Sequence, residues 1–201
     1  MNQLANTRSA LHPLLAQRWS PRGFDPEHQV SETQLTAVLE AARWAPSAAN
    51  TQPWRFVVAR RGSSEFEKIY DALMPGNQAW AGAASVLLVA AAQTRTPEGD
   101  ARPWAQYDTG QAVAHLSVQA QHEGLVVHQM GGFDADRLAA ELRLPQDVRP
   151  LVVVALGRHD PSAQLAEPFA SRERAVRERL PLEALLLDAA PAASRSQHRA
   201  A

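Results

Sequence analysis

Cysteine is missing from the 201 residues, and lysine occurs once, at Lys68. The missing thiol excludes disulfide bonds, thiol nucleophiles and iron–sulfur ligation. Because the other basic residues are all arginine, an arginine at any single position carries little information by itself. The 20 basic and 21 acidic residues leave a net charge of −1. This balance gives no indication of a nucleic-acid partner or of binding to an acidic membrane surface.

Long apolar runs are also missing. The longest one, residues 83–92, is too short to span a bilayer, and the N-terminus has no basic start followed by an apolar stretch. We therefore expect a soluble, cytoplasmic protein with no membrane partner. No internal repeat or linker divides the chain, so we assign residues 1–188 to a single domain. Residues 189–201 are poor in bulky side chains and are expected to form a disordered tail.

A polar turn between two prolines stands out within residues 41–59. Pro46 and Pro53 restrict the residues before them and so mark both ends of the turn. The polar side chains between them are Ser47, Asn50, Thr51 and Gln52. The small Ala48 and Ala49 would let a flat ligand approach the backbone. An ordinary helix-to-strand loop would use the same residues, and local chemistry leaves both interpretations open.

A second candidate motif runs from Arg18 to Asp25. In an extended segment alternate side chains point the same way, so Arg18, Ser20 and Arg22 can share one face. Two guanidinium groups and a hydroxyl suit a phosphate and a conjugated carbonyl edge. By itself, however, this spacing is more typical of a solvated basic loop.

Hydrophobic periodicity predicts alternating helices and strands. The first predicted helix is a short amphipathic one over residues 1–17, and the second is Ser31–Trp44, with a Ser31/Gln34 capping box. A third is marked by Phe66, Ile69, Tyr70 and Leu73 and ended by Pro75-Gly76-Asn77. The last two are Tyr107–Glu123, ended by Gly124, and one capped by Asp134. The predicted strands are Arg55–Arg60, Ser85–Ala91 and Leu151–Leu156. A polar loop at residues 94–103 is expected to be the most mobile element.

Two histidines on the long predicted helix are the nearest approach to a metal motif. His115 and His122 lie seven residues apart, whereas helical metal ligands usually lie three or four apart, and no carboxylate accompanies them at that spacing. We interpret them as packing or surface residues and predict no metal site.

Taken together, the motifs resemble the FMN-dependent nitroreductase family. The resemblance is carried by Arg18-x-Ser20-x-Arg22-x-Phe24, by the segment from Ala45 to Trp54 (APSAANTQPW), by Glu123-Gly124-Leu125, by the Gly131-Gly132-Phe133 turn, and by Arg177-x-Arg179-Leu180-Pro181. It covers residues 10–188, nearly the whole chain. It implies an α+β fold in which a mixed sheet is flanked by helices, built as an intertwined homodimer with FMN at the dimer interface.

The resemblance also implies flavin-binding roles for particular residues. They are Arg18, Trp19, Ser20, Arg22, Pro46, Ser47, Ala48, Asn50, Asn77, Gly131, Gly132, Arg177 and Arg179. Arg18, Ser20 and the two C-terminal arginines would hold the phosphate, and Arg22 and Asn77 the pyrimidine edge of the ring. The glycine pair would line N5, and the turn residues would come from the partner chain. The apolar run Leu182–Leu187 resembles the tail that lies on the partner's sheet.

The implied activity is transfer of two electrons from NADH or NADPH to a planar acceptor such as a nitroaromatic or a quinone, with the flavin and no catalytic side chain carrying the chemistry. Departures from the family, among them His115 and the missing acidic residue at Gly131, bear on substrate orientation. A specialised member of the same fold (a dehalogenase, a flavin-fragmenting enzyme or an enone reductase) remains an alternative. So does a non-catalytic protein that stores or senses FMN.

Overall fold

Antiparallel strands form the centre of the fold in the computed structural model, which describes residues 4–187. They are β1 (Trp54–Arg60), β2 (Val86–Gln93), β3 (Val126–Met130) and β4 (Val148–Gly157). The order across this sheet is β1-β2-β4-β3, and the three pairings are antiparallel. Val89 lies opposite Val57 on one side and Val153 on the other. The predicted tail at residues 189–201 lies outside the described residues.

Helices cover both faces of this sheet. They are α1 (Pro13–Gln17), α2 (Glu32–Arg43), α3 (Ser64–Asp71), α4 (Pro75–Ala81), α5 (Ala105–His122), α6 (Ala135–Glu141) and α7 (Phe169–Arg174). Single 3₁₀ turns occupy Ala48–Asn50 and Leu182–Leu185. No helix in this part of the chain combines the length and the apolar character needed to cross a membrane.

Alternate side chains of the strands pack in two hydrophobic cores, one on each face of the sheet. Leu88 and Val154 pack with α2 and α5 on one face, whereas Leu87 and Val153 pack with α3, α4 and α6 on the other. Residues 86–92 of β2 are buried throughout, which explains why this strand is a continuous apolar run rather than an alternating one. The expected α+β class is confirmed, with helical layers on opposite faces of the sheet, although the pairings within residues 4–187 are antiparallel and not mixed.

Local signals located several elements correctly. Ser31 caps α2, and its hydroxyl accepts from the Gln34 N–H while the Gln34 side chain accepts from the Ser31 N–H, the predicted capping box. Asp134 caps α6 through the Arg137 N–H at 3.0 Å. Gly124 ends the long helix with φ of +72°, the left-handed conformation that glycine adopts without strain.

Two predicted helix boundaries were wrong, and both lie at prolines. The N-terminal helix begins at Pro13, and residues 4–12 are not helical. Pro75 begins α4 instead of ending the helix before it. The reason is the same in both places, because proline fits the first helical position, where no intrahelical bond needs its missing N–H. The segment His128-Gln129-Met130 belongs to β3, and β3 and α7 were not predicted.

Candidate functional site

Three arginines from opposite ends of the chain meet at one place. Arg18 follows α1, and Arg177 and Arg179 follow α7. Burial lowers the pKa of Arg18, and the positive charges of the other two lower it further. Burial also lowers the pKa of Arg177, and Arg179 adds to the effect. Positive charges that lie close together and are partly buried destabilise one another, so an anion bound among them would be favourable.

Hydrogen bonds hold these arginines against the segment around them. Nη1 of Arg18 donates to the Ser20 hydroxyl at 3.5 Å, so these two predicted residues do share a face. Nη1 of Arg177 donates to the Ala16 carbonyl at 3.1 Å, which ties the C-terminal segment to the end of α1. Arg179 is exposed at the rim.

Arg22 lies farther along the same segment, beside an acidic residue that sequence analysis did not select. Glu173 of α7 accepts the backbone N–H groups of Arg22 at 2.8 Å and Gly23 at 3.1 Å. Burial lowers the pKa of the Arg22 guanidinium, although Glu173 raises it. Burial raises the pKa of Glu173, but hydrogen bonds from His159 and from the two backbone N–H groups outweigh this and leave it below its usual value.

Strand β3 connects the basic segment, residues 18–24, to the glycine pair. Nδ1 of His128 donates to the Pro21 carbonyl at 2.9 Å, and the imidazole packs 4.4 Å from the ring of Trp80. Burial lowers the pKa of His128, against the opposing effect of the bond to Pro21. The strand then ends at Met130, and Gly131 and Gly132 follow it directly.

The glycine pair is in contact with Asn77 of α4. Nδ2 of Asn77 donates to the Gly132 carbonyl at 2.9 Å, and the same carbonyl accepts the Met74 N–H at 3.0 Å. A Cβ added at Gly132 would lie 3.0 Å from Asn77 Nδ2, whereas one added at Gly131 would meet nothing within 4 Å. The sequence-predicted residues Asn77, Gly131 and Gly132 therefore form one group with an open side at Gly131.

The polar turn is strained. Ala49, Asn50 and Gln52 have φ values of 48°, 56° and 45°, in the left-handed region that residues with a Cβ rarely adopt. Such conformations persist only where surrounding contacts hold them, and they are common at ligand sites. One such contact is the Ser47 hydroxyl, which accepts the Gln52 N–H at 3.0 Å.

A buried aspartate supplies a second contact. Asp108 of α5 is 2% exposed, and its Oδ2 accepts the Ala48 N–H at 3.1 Å. Ala48 thus directs its backbone N–H to Asp108. Asp108 falls on the buried face of α5 with Ala105 and Ala112, so helical periodicity could have identified a carboxylate that needs a partner. Glu173 had no such signal, because its partners lie about 150 residues away.

The structure does not bring all the predicted residues to one place within the chain. Ala45 and Trp54, which flank the turn, pack in the core with α2 and α5. Phe24, which ends the basic segment, and Met130, which precedes the glycine pair, pack in the core on the other face. Pro46 and Asn50 are exposed on the turn, and Trp19 instead packs edge-on against the His159 ring at 5.3 Å. The basic segment and the Asn77 group are neighbours, and the turn is anchored in the opposite layer.

The sequence and the fold both have relatives. The family model described as the nitroreductase family matches residues 15–79 and 65–158. A crystal structure of an oxidoreductase containing FMN is 35% identical and has a TM-score of 0.85, and the match covers 91% of this chain and 93% of that one. An uncharacterized 15.4 kDa protein of Mycolicibacterium smegmatis is 40% identical over 137 residues, which are 64% of this chain and 91% of that protein. An oxygen-insensitive NADPH nitroreductase of Helicobacter pylori is 47% identical over 45 residues, about a fifth of each chain (22% and 21%).

Proposed function

The chain belongs to the nitroreductase family, and from that membership we propose that it is an FMN-dependent oxidoreductase. It transfers two electrons from NADH or NADPH to a planar acceptor such as a nitroaromatic or a quinone. The FMN-containing relative and the NADPH nitroreductase relative support the cofactor and the donor. Bound FMN would supply the redox chemistry, and the protein would supply binding, orientation and electrostatics.

The observation that carries the proposal is the arginine cluster. Burial lowers the pKa of Arg18 and that of Arg177, and the positive charges of neighbouring arginines lower both further. A phosphate dianion is the kind of group that relieves this repulsion, since each charge-assisted hydrogen bond contributes about 1.5–3 kcal/mol. The residues present therefore fit the phosphate of FMN, and Ser20 adds a hydroxyl that contacts Arg18.

The residues beside the cluster fit the other end of such a ligand. Arg22 would stabilise negative charge at the pyrimidine edge, because a fixed guanidinium needs no reorganisation when that charge develops. Asn77 would contact the same edge, and the open side of Gly131 leaves the backbone accessible to a flat ring.

A homodimer is part of the proposal. The strained turn, anchored by Asp108 in the layer opposite the basic segment, would complete the site of a second copy. Large apolar side chains next to the turn support this, since Trp44, Trp104 and Tyr107 are 73%, 59% and 66% exposed. Clustered exposed aromatic residues are typical of a surface that binds a partner.

Absorbance spectra test the proposal directly. The purified protein is expected to carry a yellow flavin that bleaches under nitrogen when NADH or NADPH is added, and to regain its colour with a quinone or a nitroaromatic. A flavin that stays oxidised with both nicotinamides would favour a storage or sensor protein. Protein that binds no FMN at micromolar concentration would overturn the proposal.

Steady-state kinetics test how donor and acceptor use the site. If one side of the ring packs against protein, both must occupy the remaining side in turn, with reacting atoms about 3–3.5 Å apart. Double-reciprocal plots against NAD(P)H at several acceptor concentrations should then give parallel lines. Intersecting lines would indicate that donor and acceptor are bound together, which contradicts a single shared side.

A further inference from the structure

The arginine cluster depends on two segments that are far apart in sequence. One is the basic segment, residues 18–24; the other, which we call the C-terminal arm, is residues 169–180. Glu173 joins them, because its carboxylate accepts the N–H groups of Arg22 at 2.8 Å and Gly23 at 3.1 Å. Its side chain is 15% exposed, and His159 Nε2 lies 3.5 Å from it. A half-buried carboxylate that accepts two consecutive backbone N–H groups is a directional anchor.

The basic segment is fixed independently of this anchor. Phe24 is 2% exposed in the core and pairs with His159 in a β-bridge. The Gly23 carbonyl accepts the Asp160 N–H at 3.1 Å, and an added Cβ at Gly23 would lie 2.7 Å from the Asp160 carbonyl oxygen. Pro21 accepts from His128 at 2.9 Å. Apart from the His159 side chain, which also contacts Glu173, these contacts are made outside the arm, so we expect them to remain when Glu173 is changed.

Phe169 at the start of the arm packs against the core, but the part that follows Glu173 is mostly exposed. Val176 is 85% exposed and Leu180 is 68% exposed. Arg177 reaches back to the Ala16 carbonyl at 3.1 Å, but its charge faces those of Arg18 and Arg179. If the contact made by Glu173 is lost, the arm should therefore move while the basic segment stays in place.

We propose that Glu173 is a positioning residue for the phosphate half of the cofactor site, acting by docking the C-terminal arm so that Arg177 and Arg179 stay against Arg18. This inference rests on the proposed function, in which those arginines hold the phosphate of FMN. The role is assigned to the contacts of Glu173 with the backbone and not to its charge.

The charge of Glu173 and its positioning role predict opposite changes in FMN affinity when the residue is replaced. A carboxylate beside a cationic cluster repels a phosphate, so replacing Glu173 with a neutral residue should tighten FMN binding if the effect is electrostatic. If the carboxylate instead positions the arm, the same replacement should weaken FMN binding. The sign of the change therefore separates the two roles.

The test compares FMN with riboflavin, which has the same ring and no phosphate. Flavin fluorescence titrations of the dialysed apoprotein give both dissociation constants for wild type, Glu173→Gln and Glu173→Ala. Gln keeps one acceptor oxygen, so we expect FMN affinity to fall about tenfold in the Gln variant and further in the Ala variant, since one or two charge-assisted hydrogen bonds are lost. Riboflavin affinity should change less than about twofold, because the ring end is held by the basic segment.

Two further variants complete the experiment. Glu178→Gln removes a negative charge from an exposed position of the arm and should not weaken FMN binding. In an Arg177→Ala, Arg179→Ala background, Glu173→Gln should cost little further FMN affinity, because the groups that it positions are gone. Apoprotein melting temperatures verify that each variant is folded, and the Gln variant is decisive if the Ala variant is not.

Several results would overturn the inference. Unchanged or tighter FMN binding in Glu173→Gln would leave only a charge effect or no effect. Equal weakening of FMN and riboflavin would mean that Glu173 supports the ring end or the fold. In each of these cases wild type still prefers FMN, so the proposed function stands. Wild-type protein that binds riboflavin as tightly as FMN would remove the phosphate site itself, and the role of Glu173 with it.

Discussion

Alanine at the two adjacent glycines should give different results, and the structure explains why. Gly131 and Gly132 both have φ outside the left-handed region, so neither needs to be glycine for its backbone conformation. A Cβ at Gly131 meets nothing within 4 Å. One at Gly132 lies 3.0 Å from Nδ2 of Asn77, which donates to the Gly132 carbonyl at 2.9 Å. An added methyl group at Gly132 must therefore push the Asn77 amide away by a few tenths of an ångström, which weakens its bond to the Gly132 carbonyl.

The magnitudes follow from two effects. Replacing glycine with alanine at a compatible position stabilises a protein by about 0.4–1 kcal/mol, because the unfolded chain loses freedom. Breaking the Asn77 hydrogen bond costs about 0.5–1.5 kcal/mol. Gly131→Ala should thus raise the melting temperature of the apoprotein by about 1–4 °C, given about 2–4 °C per kcal/mol for a domain of this size. The melting temperature of the Gly132→Ala apoprotein should be about 1–6 °C lower than that of the Gly131→Ala apoprotein.

The assay is thermal unfolding without and with FMN. A ligand that binds the folded state raises the melting temperature according to its concentration and dissociation constant. If the open side of Gly131 receives the flavin, the Gly131→Ala variant should be more stable than wild type without FMN and should gain less from FMN. Stabilised apoprotein with a weakened ligand response is a combination that a general folding defect does not produce.

Two results would refute this reasoning. If Gly131→Ala lowers the melting temperature of the apoprotein by several degrees, the space beside it is not open. If it raises the melting temperature and FMN still stabilises it as much as wild type, the flavin does not approach Gly131. Equal melting temperatures for both variants would mean that the Asn77 bond contributes little.

Other substitutions test the remaining parts of the site. Arg18→Ala should weaken FMN binding about ten- to a hundredfold through loss of one charge-assisted bond, measured as flavin retained at matched dilution. Asp108→Ala frees the Ala48 N–H and should lower the melting temperature by about 3–12 °C, and Asp108→Asn should lower it less. Burial lowers the pKa of His128 below 6.5, so urea unfolding should show stability falling as pH drops below 6.5, where only the unfolded chain takes up the proton. His128→Gln should flatten that slope.

Matched variants separate these effects from general damage. Arg137→Ala removes an arginine from α6, paired there with Glu141, and should leave flavin retention unchanged. Ser117→Ala changes another buried polar residue of α5 and should leave FMN binding intact, whereas Asp108→Ala should weaken it. Full flavin occupancy in Arg18→Ala would exclude that residue from the site, and a steep acid slope in His128→Gln would assign the slope to other groups.

Elements set by local interactions could be predicted from the sequence. The capping box of α2 involves residues three apart, and the left-handed Gly124 needs no distant partner. The apolar runs of β2 and β4 also indicate burial directly. The candidate binding residues were found through resemblance to the family, since the basic segment alone is more typical of a solvated loop.

Elements set by distant partners could not be predicted in this way. β3 contains His128 and Gln129 within a short run, and its strand conformation depends on pairing with β4. Proline gives a boundary without saying whether a helix ends or begins there, as Pro75 illustrates. The link from Glu173 to the backbone of Gly23 joins residues 150 apart, and sequence spacing carries no information about it.

The arrangement of the arginine cluster connects folding of the C-terminal arm to occupancy of the site. Arg177 and Arg179 bring positive charge toward Arg18, which disfavours docking of the arm, whereas Glu173 favours it. A bound phosphate would turn the repulsion among the three arginines into a net attraction, because it attracts all three guanidinium groups at once. Ligand binding and arm docking must then stabilise each other by the same free energy. If the arginines bind the phosphate as proposed, cofactor binding would therefore hold the exposed arm, with apolar side chains such as Leu180, more firmly in the position where a partner chain could cover it.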